Sequence, residues 1–302
     1  MDGEVFYAPC GAIGVAVILI TIIREGILLN DEQNEIQTPA LKVNNGALPF
    51  TNRVNTISTD EPWQWLALGW MDLRRARWIS IFYGSIFVAI GYAVTVGLYQ
   101  LELFHLIWPF ATGFVLVAPV FAVGVYELSH RMQQGESPTL KCALLAWRAY
   151  PSRIFGAGLA MTFFLIMWTR TAALIYVLNF PYEMLTIQAL LNQTFFSGQG
   201  LVFLCVGTLI GAVFAITAFL LSAVSLPMMV GEHADFLPAV LTSVIAVTRN
   251  PKAMTLWAAI IVGITILGMA TAMIGLAVTL PLIGHATWHA YQAIVRPPEQ
   301  NT

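Results

Sequence analysis

The sequence predicts an all-α, polytopic membrane helical bundle, and two observations on composition and charge pattern support that fold class. Of the 302 residues, 58% are hydrophobic and 10% are charged, whereas soluble domains contain about 25% charged residues. Long stretches also lack Asp, Glu, Lys and Arg altogether: 78–101, 103–126, 154–169, 200–231 and 253–284. Because backbone polar groups in lipid must be satisfied within each segment, these stretches are predicted to be helices rather than strands.

Six core spans are expected in these stretches, since a helix needs roughly 20 apolar residues to cross the hydrocarbon layer. The last stretch is long enough for most of two crossings, with a tight turn near Gly268–Thr271. The expected spans are 78–99, 104–127, 154–179, 200–228, 253–270 and 272–294.

A short pattern recurs three times and predicts three repeats, each an interfacial amphipathic helix followed by a two-span hairpin. Each copy opens with an acidic residue or Ser near a Pro, at 60–62, 136–138 and 235–238. Each copy continues as an amphipathic stretch that ends at a basic junction, at 74–77, 148–153 and 249–252. The amphipathic helix of each copy is called an elbow helix below.

The elbow helices are expected to be about three to four turns long, too short to cross, and to lie at the membrane interface with their apolar faces toward the acyl chains. Pro62 and Pro138 suit the first helical turn, while Pro151 and Pro251 are expected to end the second and third elbow helices. The expected N-caps are Asp60, Ser137 and Asp235. The predicted apolar faces are Trp63, Leu66, Trp70 and Leu73, then Leu140, Leu144, Trp147 and Tyr150, then Val240, Val244 and Val247. Interfacial depth is predicted for Trp63, Trp65, Trp70, Trp78 and Trp147.

The basic residues predict the orientation, because Lys and Arg are enriched in cytoplasmic loops. On one side of the six-span arrangement lie Arg74, Arg75, Arg77, Arg131, Lys141, Arg148, Arg153, Arg249, Lys252 and Arg296. The opposite connections hold Glu102 and Glu183 but no Lys or Arg. We therefore expect a multi-pass protein of the bacterial cell inner membrane, with the elbow helices and the C-terminus cytoplasmic.

The first 58 residues differ from the rest of the chain. Residues 5–23 form an uncharged run followed by Arg24, so residues 1–30 are expected to be an N-terminal membrane anchor and a seventh span. The alternative is a translation start placed too far upstream, and both interpretations stay open. Residues 31–58 are expected to be a flexible linker, residues 59–296 the integral membrane domain, and residues 297–302 a tail.

Charge and motifs narrow the functional classes. The net charge of −2 predicts no nucleic-acid partner, which would need a basic face. Cys10, Cys142 and Cys205 have no paired spacing and predict neither a disulfide framework nor a thiolate metal site. Motifs for phosphate, dinucleotide or zinc binding are missing from the sequence. We expect a protein that is not an enzyme and carries no cofactor.

Polar residues follow a Pro and a Gly at the end of each even-numbered span. These pairs are Pro119 and Gly124, Pro227 and Gly231, and Pro281 and Gly284. The polar residues that follow them are Glu127 and His130, Glu232 and His233, and His285 and His289. If the three copies pack around a pseudo-threefold axis, these groups meet at the inner mouth of the bundle as a hydrated vestibule. His285 and His289, four residues apart on one helix face, are the candidates for a metal or haem site, with His130 and His233 as further candidates.

Arg170 is an intramembrane charge in the third expected span, and such residues usually face the bundle interior or a water-filled cavity. Two interpretations stay open: an ion pair or snorkelling contact with Glu102 or Glu183, or part of a substrate or ion pathway. Gly207 and Gly211 form a GxxxG pattern that permits close helix approach.

Two stretches resemble an uncharacterised family of bacterial, mainly proteobacterial, multi-spanning integral membrane proteins, a domain of unknown function. The stretches are DEPWQWLALGWMDL at 60–73 and PLIGHATWHAY at 281–291. The resemblance covers about residues 53–296, and Arg170 and Ser243 fit it. It implies architecture and membrane localisation but no activity. Some relatives carry the label of cytochrome c oxidase subunit I, which does not suit this chain because that subunit has more spans and more metal-binding His residues.

Three hypotheses of function follow. The first is a non-enzymatic membrane scaffold, or an accessory or assembly component of a membrane complex, whose elbow helices organise lipid or a partner. A terminal oxidase or its assembly factors is the candidate partner, on the label of the relatives alone. The second is a small transporter or channel that uses Arg170 and the His/Glu vestibule. The third is a metal- or haem-handling protein that uses His285 and His289.

Overall fold

The computed structural model describes residues 53–103, 106–149, 151–180, 192 and 194–295. Over these residues the secondary structure is helical, apart from one isolated pair of extended residues, Val54 and Val295. The predicted all-α fold class is confirmed. The expected anchor at 1–30 and the tail at 297–302 lie outside the described residues.

The helices follow the expected order of elbow and hairpin. The first elbow helix is α1 (Glu61–Ala76), and its hairpin consists of α2 (Trp78–Gln100), α3 (Ile107–Phe121) and α4 (Val123–Gln133). The second elbow helix is α5 (Leu140–Ala149), and its hairpin consists of α6 (Pro151–Asn179), α7 (Gly198–Ser222) and α8 (Ser225–Gly231). The third elbow helix is α9 (Phe236–Arg249), and its hairpin consists of α10 (Pro251–Ala270) and α11 (Leu276–Ile294).

Five helical segments of the described chain are long and apolar enough to cross a membrane, so this is a multi-pass integral membrane protein. They are Trp78–Gln100, Ile107–Gln133, Arg153–Asn179, Gly198–Gly231 and Pro251–Ala270, which match the first five expected spans. Only 11% to 33% of the most apolar part of each segment is buried within the protein. Most of each span therefore faces outward, as suits helices surrounded by lipid.

The sixth expected span is the helix α11, which is not among those five segments. Its second half is polar and deeply buried, with His285, Thr287, Trp288 and Tyr291 all inside the protein. The last residue of α11 nevertheless lies near the start of α10, and Asn55 contacts both. The backbone N–H of Asn55 donates to Ile294 O at 2.8 Å, and its carbonyl accepts from Asn250 Nδ2 at 2.9 Å.

Two of the even-numbered spans are broken near their prolines, where a backbone donor is missing. The first break, at Ala122, separates α3 from α4, and the Tyr83 hydroxyl donates to the Phe121 carbonyl there at 2.8 Å. The second lies between α7 and α8. There the Ser243 hydroxyl accepts from Val224 N at 3.1 Å and donates to the Leu220 carbonyl at 2.8 Å. These side chains satisfy backbone groups next to each break.

The elbow helices pack in cyclic order on the ends of the even-numbered spans. The first elbow helix, α1, packs on α11 of the third hairpin, α5 packs on α4 of the first, and α9 packs on α8 of the second. The helices α4, α8 and α11 also contact one another. These six helices are called the elbow layer below. The second and third elbow helices thus contact the hairpin that precedes them in the sequence, and the first contacts the last hairpin.

The main core of the described chain lies in and beside the elbow layer rather than between the spans. Leu226, Met228 and Trp288 are at most 1% exposed there. Trp65 of α1 packs edge-on against Trp257 of α10, with ring centroids 5.7 Å apart. Trp65, which was predicted at interfacial depth, is only 2% exposed, so its ring is buried within the protein.

Small residues make several of the contacts between the elbow helices and the bundle. Small residues, and not the large apolar ones, face the bundle in α5, where Ala143 and Ala146 are buried while Leu144 and Trp147 are exposed. The face of α1 that meets α11 contains Gly69, and those of α9 contain Ala239 and Ala246. Small side chains let two helices approach closely, although α1 also buries the large side chains of Trp65 and Leu73.

The ends of the elbow helices follow the predictions only in part. Pro151 and Pro251 begin α6 and α10 as expected, and Pro62 lies at the start of α1. Asp60 and Asp235 precede their helices, but neither side chain makes a capping hydrogen bond. The helix α5 begins at Leu140, so Pro138 lies outside its first turn.

The last residues of the expected linker are held in place. Val54 pairs with Val295 and is 3% exposed, and Ile57 N donates to Asn250 Oδ1 at 2.8 Å. The packed domain therefore includes residues 53–58 as well as the helices. The rest of the expected linker lies outside the described residues.

Candidate functional site

A continuous line of hydrogen-bonded side chains runs through the elbow layer, and we call it the polar chain. It consists of Ser80, His285, Ser129, Asp72 and His289. Ser80 Oγ lies 2.9 Å from His285 Nε2, and His285 Nδ1 lies 2.7 Å from Ser129 Oγ. The Ser129 hydroxyl donates to Asp72 Oδ2 at 2.8 Å, and the same oxygen lies 2.9 Å from His289 Nε2.

The polar chain exists because α11 packs against both α1 and α2 and also touches α4. Asp72 comes from α1, Ser80 from the first turn of α2, and Ser129 from α4. His285 and His289 lie one turn apart on α11 and face this junction. The polar chain therefore joins the first and third hairpins through side chains that are distant in sequence.

The donors along the polar chain fix the tautomer of His285. The Ser129 hydroxyl proton goes to Asp72, so its oxygen accepts from the imidazole. His285 must then carry its proton on Nδ1 and accept from the Ser80 hydroxyl at Nε2. Ser80, Ser129 and His285 are each 0% exposed, and unmade hydrogen bonds at such depth are costly. The neutral imidazole satisfies both ring nitrogens.

The Asp72 carboxyl is the anionic group of the polar chain. Burial raises its pKa, but the hydrogen bonds from His289 and Ser129 outweigh burial, so the pKa is lowered from its ordinary value of 3.8. The carboxylate is therefore ionised at neutral pH and accepts from both neighbours.

A second polar cluster lies around a pocket of about 280 Å³ in the elbow layer, called the layer pocket. Its walls include His130 from α4, Glu232 after α8, and Trp288 and Tyr291 from α11. Glu232 forms a salt bridge with Arg53 and accepts from the Tyr291 hydroxyl at 3.1 Å. The carboxylate is thus held by two neighbours at one edge of the pocket.

Glu127 is buried beside this region, with 5% of its surface exposed. Its Oε1 accepts from Arg131 Nε at 2.6 Å, and Arg131 reaches Glu136 as well, at 3.0 Å. The other oxygen, Oε2, has no hydrogen-bond partner among the described residues. The arrangement is an ion pair on one face of α4 that extends to the loop after it.

The structure divides the expected vestibule into two parts. His130 and Glu232 line the layer pocket, whereas His285 and His289 belong to the polar chain. His233 follows Glu232 with a positive φ of 55°. Within the ranges that the structure describes, no group of three or more His, Cys, Asp or Glu side chains is arranged to hold a metal ion. Both ring nitrogens of His285 are already engaged by serines.

Arg170 lies on the exposed side of α6. It forms no salt bridge with any described residue, and it lines neither the layer pocket nor the larger cavity described next. Glu102, one expected partner, is exposed with φ of 60°. Glu183, the other, lies outside the described residues. Of the GxxxG pair, Gly211 lies beside Trp168, where an added Cβ atom would come within 3.0 Å of the indole ring.

A cavity of about 1030 Å³, called the span cavity, lies between the spans and is partly open at their outer surface. Its walls come mainly from α2, α3, α7, α10 and α11, and they are mostly Ala, Val, Ile, Leu and Phe side chains. Pro251 lines it at the elbow end and Met269 and Met273 at the far end. No pattern within a single helix predicts this cavity, because it forms where neighbouring helices diverge.

Sequence reasoning also missed Asp72, Ser80 and Ser129. Asp72 was one acidic residue in a stretch rich in basic and aromatic residues, and serines are common near helix ends. The one available signal was a polar side chain inside an otherwise apolar span, which usually has a partner. Identifying that partner requires knowing that α1, α2, α4 and α11 meet.

Comparison with known proteins supports the membrane assignment. Residues 107–231, which extend from α3 to α8, match a family described as predicted integral membrane protein (DUF2189). The resemblance to an uncharacterised multi-spanning membrane family is thereby confirmed. No curated protein and no solved structure shows significant similarity to the chain.

Proposed function

We propose that this integral membrane protein is a non-enzymatic scaffold of the bacterial cell inner membrane, and that its elbow layer organises lipid or a partner protein. The observation that carries the proposal is the exposed face of the elbow helices. Trp63, Trp70 and Trp147 are 56%, 47% and 52% exposed. Trp78, at the start of α2, is 74% exposed.

These tryptophans lie beside exposed arginines. Arg74 and Arg75 follow Trp70 on α1, and the Arg148 guanidinium lies 5.1 Å from the centre of the Trp147 ring. Trp and Arg together suit the headgroup level of a bilayer, where the ring is partly apolar and the cation meets phosphate. They are also the residue types enriched at protein interfaces. The elbow layer therefore offers a surface suited to lipid headgroups and to a membrane partner.

The packing of the elbow layer also makes that surface rigid. The cyclic packing of α1, α5 and α9 joins all three hairpins, and the polar chain links α1, α2, α4 and α11 through buried hydrogen bonds. A satisfied buried network specifies one arrangement of its helices. The outer faces of the elbow helices are then fixed relative to one another, as a scaffold requires.

The absence of enzymatic activity is part of the proposal, and burial supports it. Ser80 and His285 lie within hydrogen-bond distance, as a nucleophile and its base would. Both are 0% exposed, and neither lines the span cavity or the layer pocket. A substrate therefore has no route to the Ser80 hydroxyl in this arrangement.

The proposed site of action is the cytoplasmic face, since the basic junctions follow the positive-inside rule. The proposed partner is a membrane complex, with a terminal oxidase or its assembly factors as the first class to examine. That class rests on the label that some relatives carry, and the exposed Trp and Arg residues would serve any membrane partner.

Gentle purification from native membranes followed by mass spectrometry tests the scaffold. We expect a partner protein to be recovered with the wild-type chain and lost with the double variant Trp70→Ala, Trp147→Ala. Trp108→Ala is the matched control, because Trp108 is 57% exposed at the start of α3, away from the elbow helices. Recovery of a monodisperse protein with neither partner nor retained lipid would contradict the proposal.

A small transporter or channel is the second candidate, and the broken helices at Ala122 and at Ala223–Val224 favour it. Broken helices often surround substrate sites in transporters. Arg170 lines neither the span cavity nor the layer pocket, so neither space supports its place in a pathway. Flux into proteoliposomes tests it, with Glu232→Gln in the layer pocket compared with Arg170→Ala. Flux with the wild-type protein no greater than in protein-free liposomes would eliminate the transporter.

A further inference from the structure

We propose that the span cavity is the binding site of one membrane phospholipid, with its two acyl chains between the spans and an anionic headgroup beside Lys252. The inference does not depend on the scaffold function. It rests on the size, lining and position of the cavity and on the charge at its elbow end.

The dimensions of the cavity suit two hydrocarbon chains. Its walls include Pro251 and Met269, eighteen positions apart on α10, which corresponds to about 27 Å of helix. A volume of about 1030 Å³ over that length gives a mean cross-section of about 38 Å². Non-bonded carbon atoms keep about 4 Å apart, so one extended chain needs on the order of 20 Å². Two chains side by side therefore fit the cavity.

The chemistry of the walls suits a lipid rather than a polar solute. The lining is dominated by Ala, Val, Leu, Ile and Phe side chains from several spans, among them Phe87, Val115, Ile216 and Val262. A space of this kind inside a membrane bundle cannot hold ordered water, because water needs polar partners. Acyl chains from the surrounding bilayer are apolar and therefore suit these walls.

The polar side chains of the lining are few, and several lie at the elbow end. Thr248 lies in the last turn of α9, Thr255 lies in the second turn of α10, and Thr287 lies in the buried half of α11. Lys252 follows the lining residue Pro251, is exposed, and has no ion pair within the described part of the chain. A cation at that position attracts an anionic headgroup. The lipid is therefore oriented with its phosphate at the elbow layer and its tails toward Met269 and Met273.

Native mass spectrometry and lipid extraction on the full chain, purified in a mild detergent, test the inference. We expect about one phospholipid per chain, enriched in anionic headgroups relative to the membrane. Ala215→Trp and Ala258→Trp place large rings into the cavity from α7 and α10, and both should lose the lipid. Val213→Trp is the matched control, because Val213 is exposed on α7 and does not line the cavity. It should retain the lipid.

The variant Lys252→Gln tests headgroup recognition separately from the binding of the acyl chains. This variant should keep a phospholipid but lose about fivefold in preference for anionic over neutral headgroups, the factor expected for one Lys near a charged membrane surface. Equal lipid retention in the two cavity-filling variants and the control, with all of them folded by thermal melting, would overturn the inference. Recovery of only detergent, or of an isoprenoid quinone in place of phospholipid, would overturn it as well.

Discussion

Gly69 of α1 lies directly against the backbone of Ala286 in α11. A Cβ atom at position 69 would come within 2.6 Å of Ala286 N, which is closer than non-bonded atoms approach. This contact brings the first elbow helix to the last helix of the chain and closes the cyclic order of the elbow layer. Because α1 and α11 are in contact along this face, the separation between Asp72 of α1 and His289 of α11 is fixed.

Gly69→Ala is expected to destabilise the protein by about 1–3 kcal/mol, the usual effect of overpacking a close contact. The added methyl group must push α1 away from α11 and so stretch the hydrogen bond between Asp72 and His289. Thermal unfolding in detergent measures the change. Gly207→Ala is the control, because a Cβ there meets nothing within 4 Å. An unchanged melting temperature in Gly69→Ala would mean that the two helices are not in contact.

Ser129→Ala is expected to cost about 1–3 kcal/mol, because it leaves the buried His285 Nδ1–H without an acceptor. It also takes one donor from Asp72. Ser85→Ala is the matched control, since the Ser85 hydroxyl donates only within its own helix, to Ile81 O at 2.8 Å. Chemical shifts of the His285 ring should change in Ser129→Ala alone. Equal stability of the two variants would show that the polar chain does not hold the layer together.

Asp72 is expected to make the stability of the protein depend on acid pH. The pKa of Asp72 is lower in the folded protein than its ordinary value of 3.8, so its contribution is complete above that pH. The contribution is lost as the pH falls through the lowered pKa, because the protonated carboxyl interacts less well with its donors. Melting temperatures from pH 6 down to pH 3 should therefore fall more steeply for the wild type than for Asp72→Asn. Parallel curves would contradict the assignment.

Ser243→Ala is expected to weaken the junction of α7 and α8. The substitution removes the side chain that bonds both Val224 N and Leu220 O, and each buried group left unsatisfied costs about 1–3 kcal/mol. Hydrogen exchange at Val224 should accelerate. Thr242→Val is the control, because Thr242 is equally buried but its hydroxyl donates within its own helix, to Pro238 O at 2.8 Å. Faster exchange in both variants would indicate general loosening instead.

The spans could be predicted from the sequence because the thickness of the bilayer fixes their length. The predicted span 78–99 differs by one residue from Trp78–Gln100, and 253–270 differs by two from Pro251–Ala270. The inward faces of the elbow helices could not be predicted in this way. Hydrophobic periodicity marks the large apolar residues that are predicted to face the acyl chains, whereas the contacts with the bundle include the small residues Gly69 and Ala143.

Only some residues of the polar chain could be predicted from the sequence. The sequence identified His285 and His289 as a polar pair on one helix face, and the structure shows them in one network. Their partner Asp72 is 217 residues from His289, and no spacing rule connects positions so far apart. Arg170 was singled out because a charge in a span is costly, but cost alone does not tell whether the side chain faces the bundle or its surroundings.

The most direct test of the account is the side of the membrane on which the elbow layer lies. Single cysteines introduced by Lys141→Cys and by Glu102→Cys, with Cys10, Cys142 and Cys205 replaced by Ser, can be probed with an impermeant maleimide. The account predicts labelling at position 102 in cells with a permeable outer membrane, and labelling at position 141 only after the inner membrane is opened. Labelling at position 141 while the inner membrane is intact would contradict it.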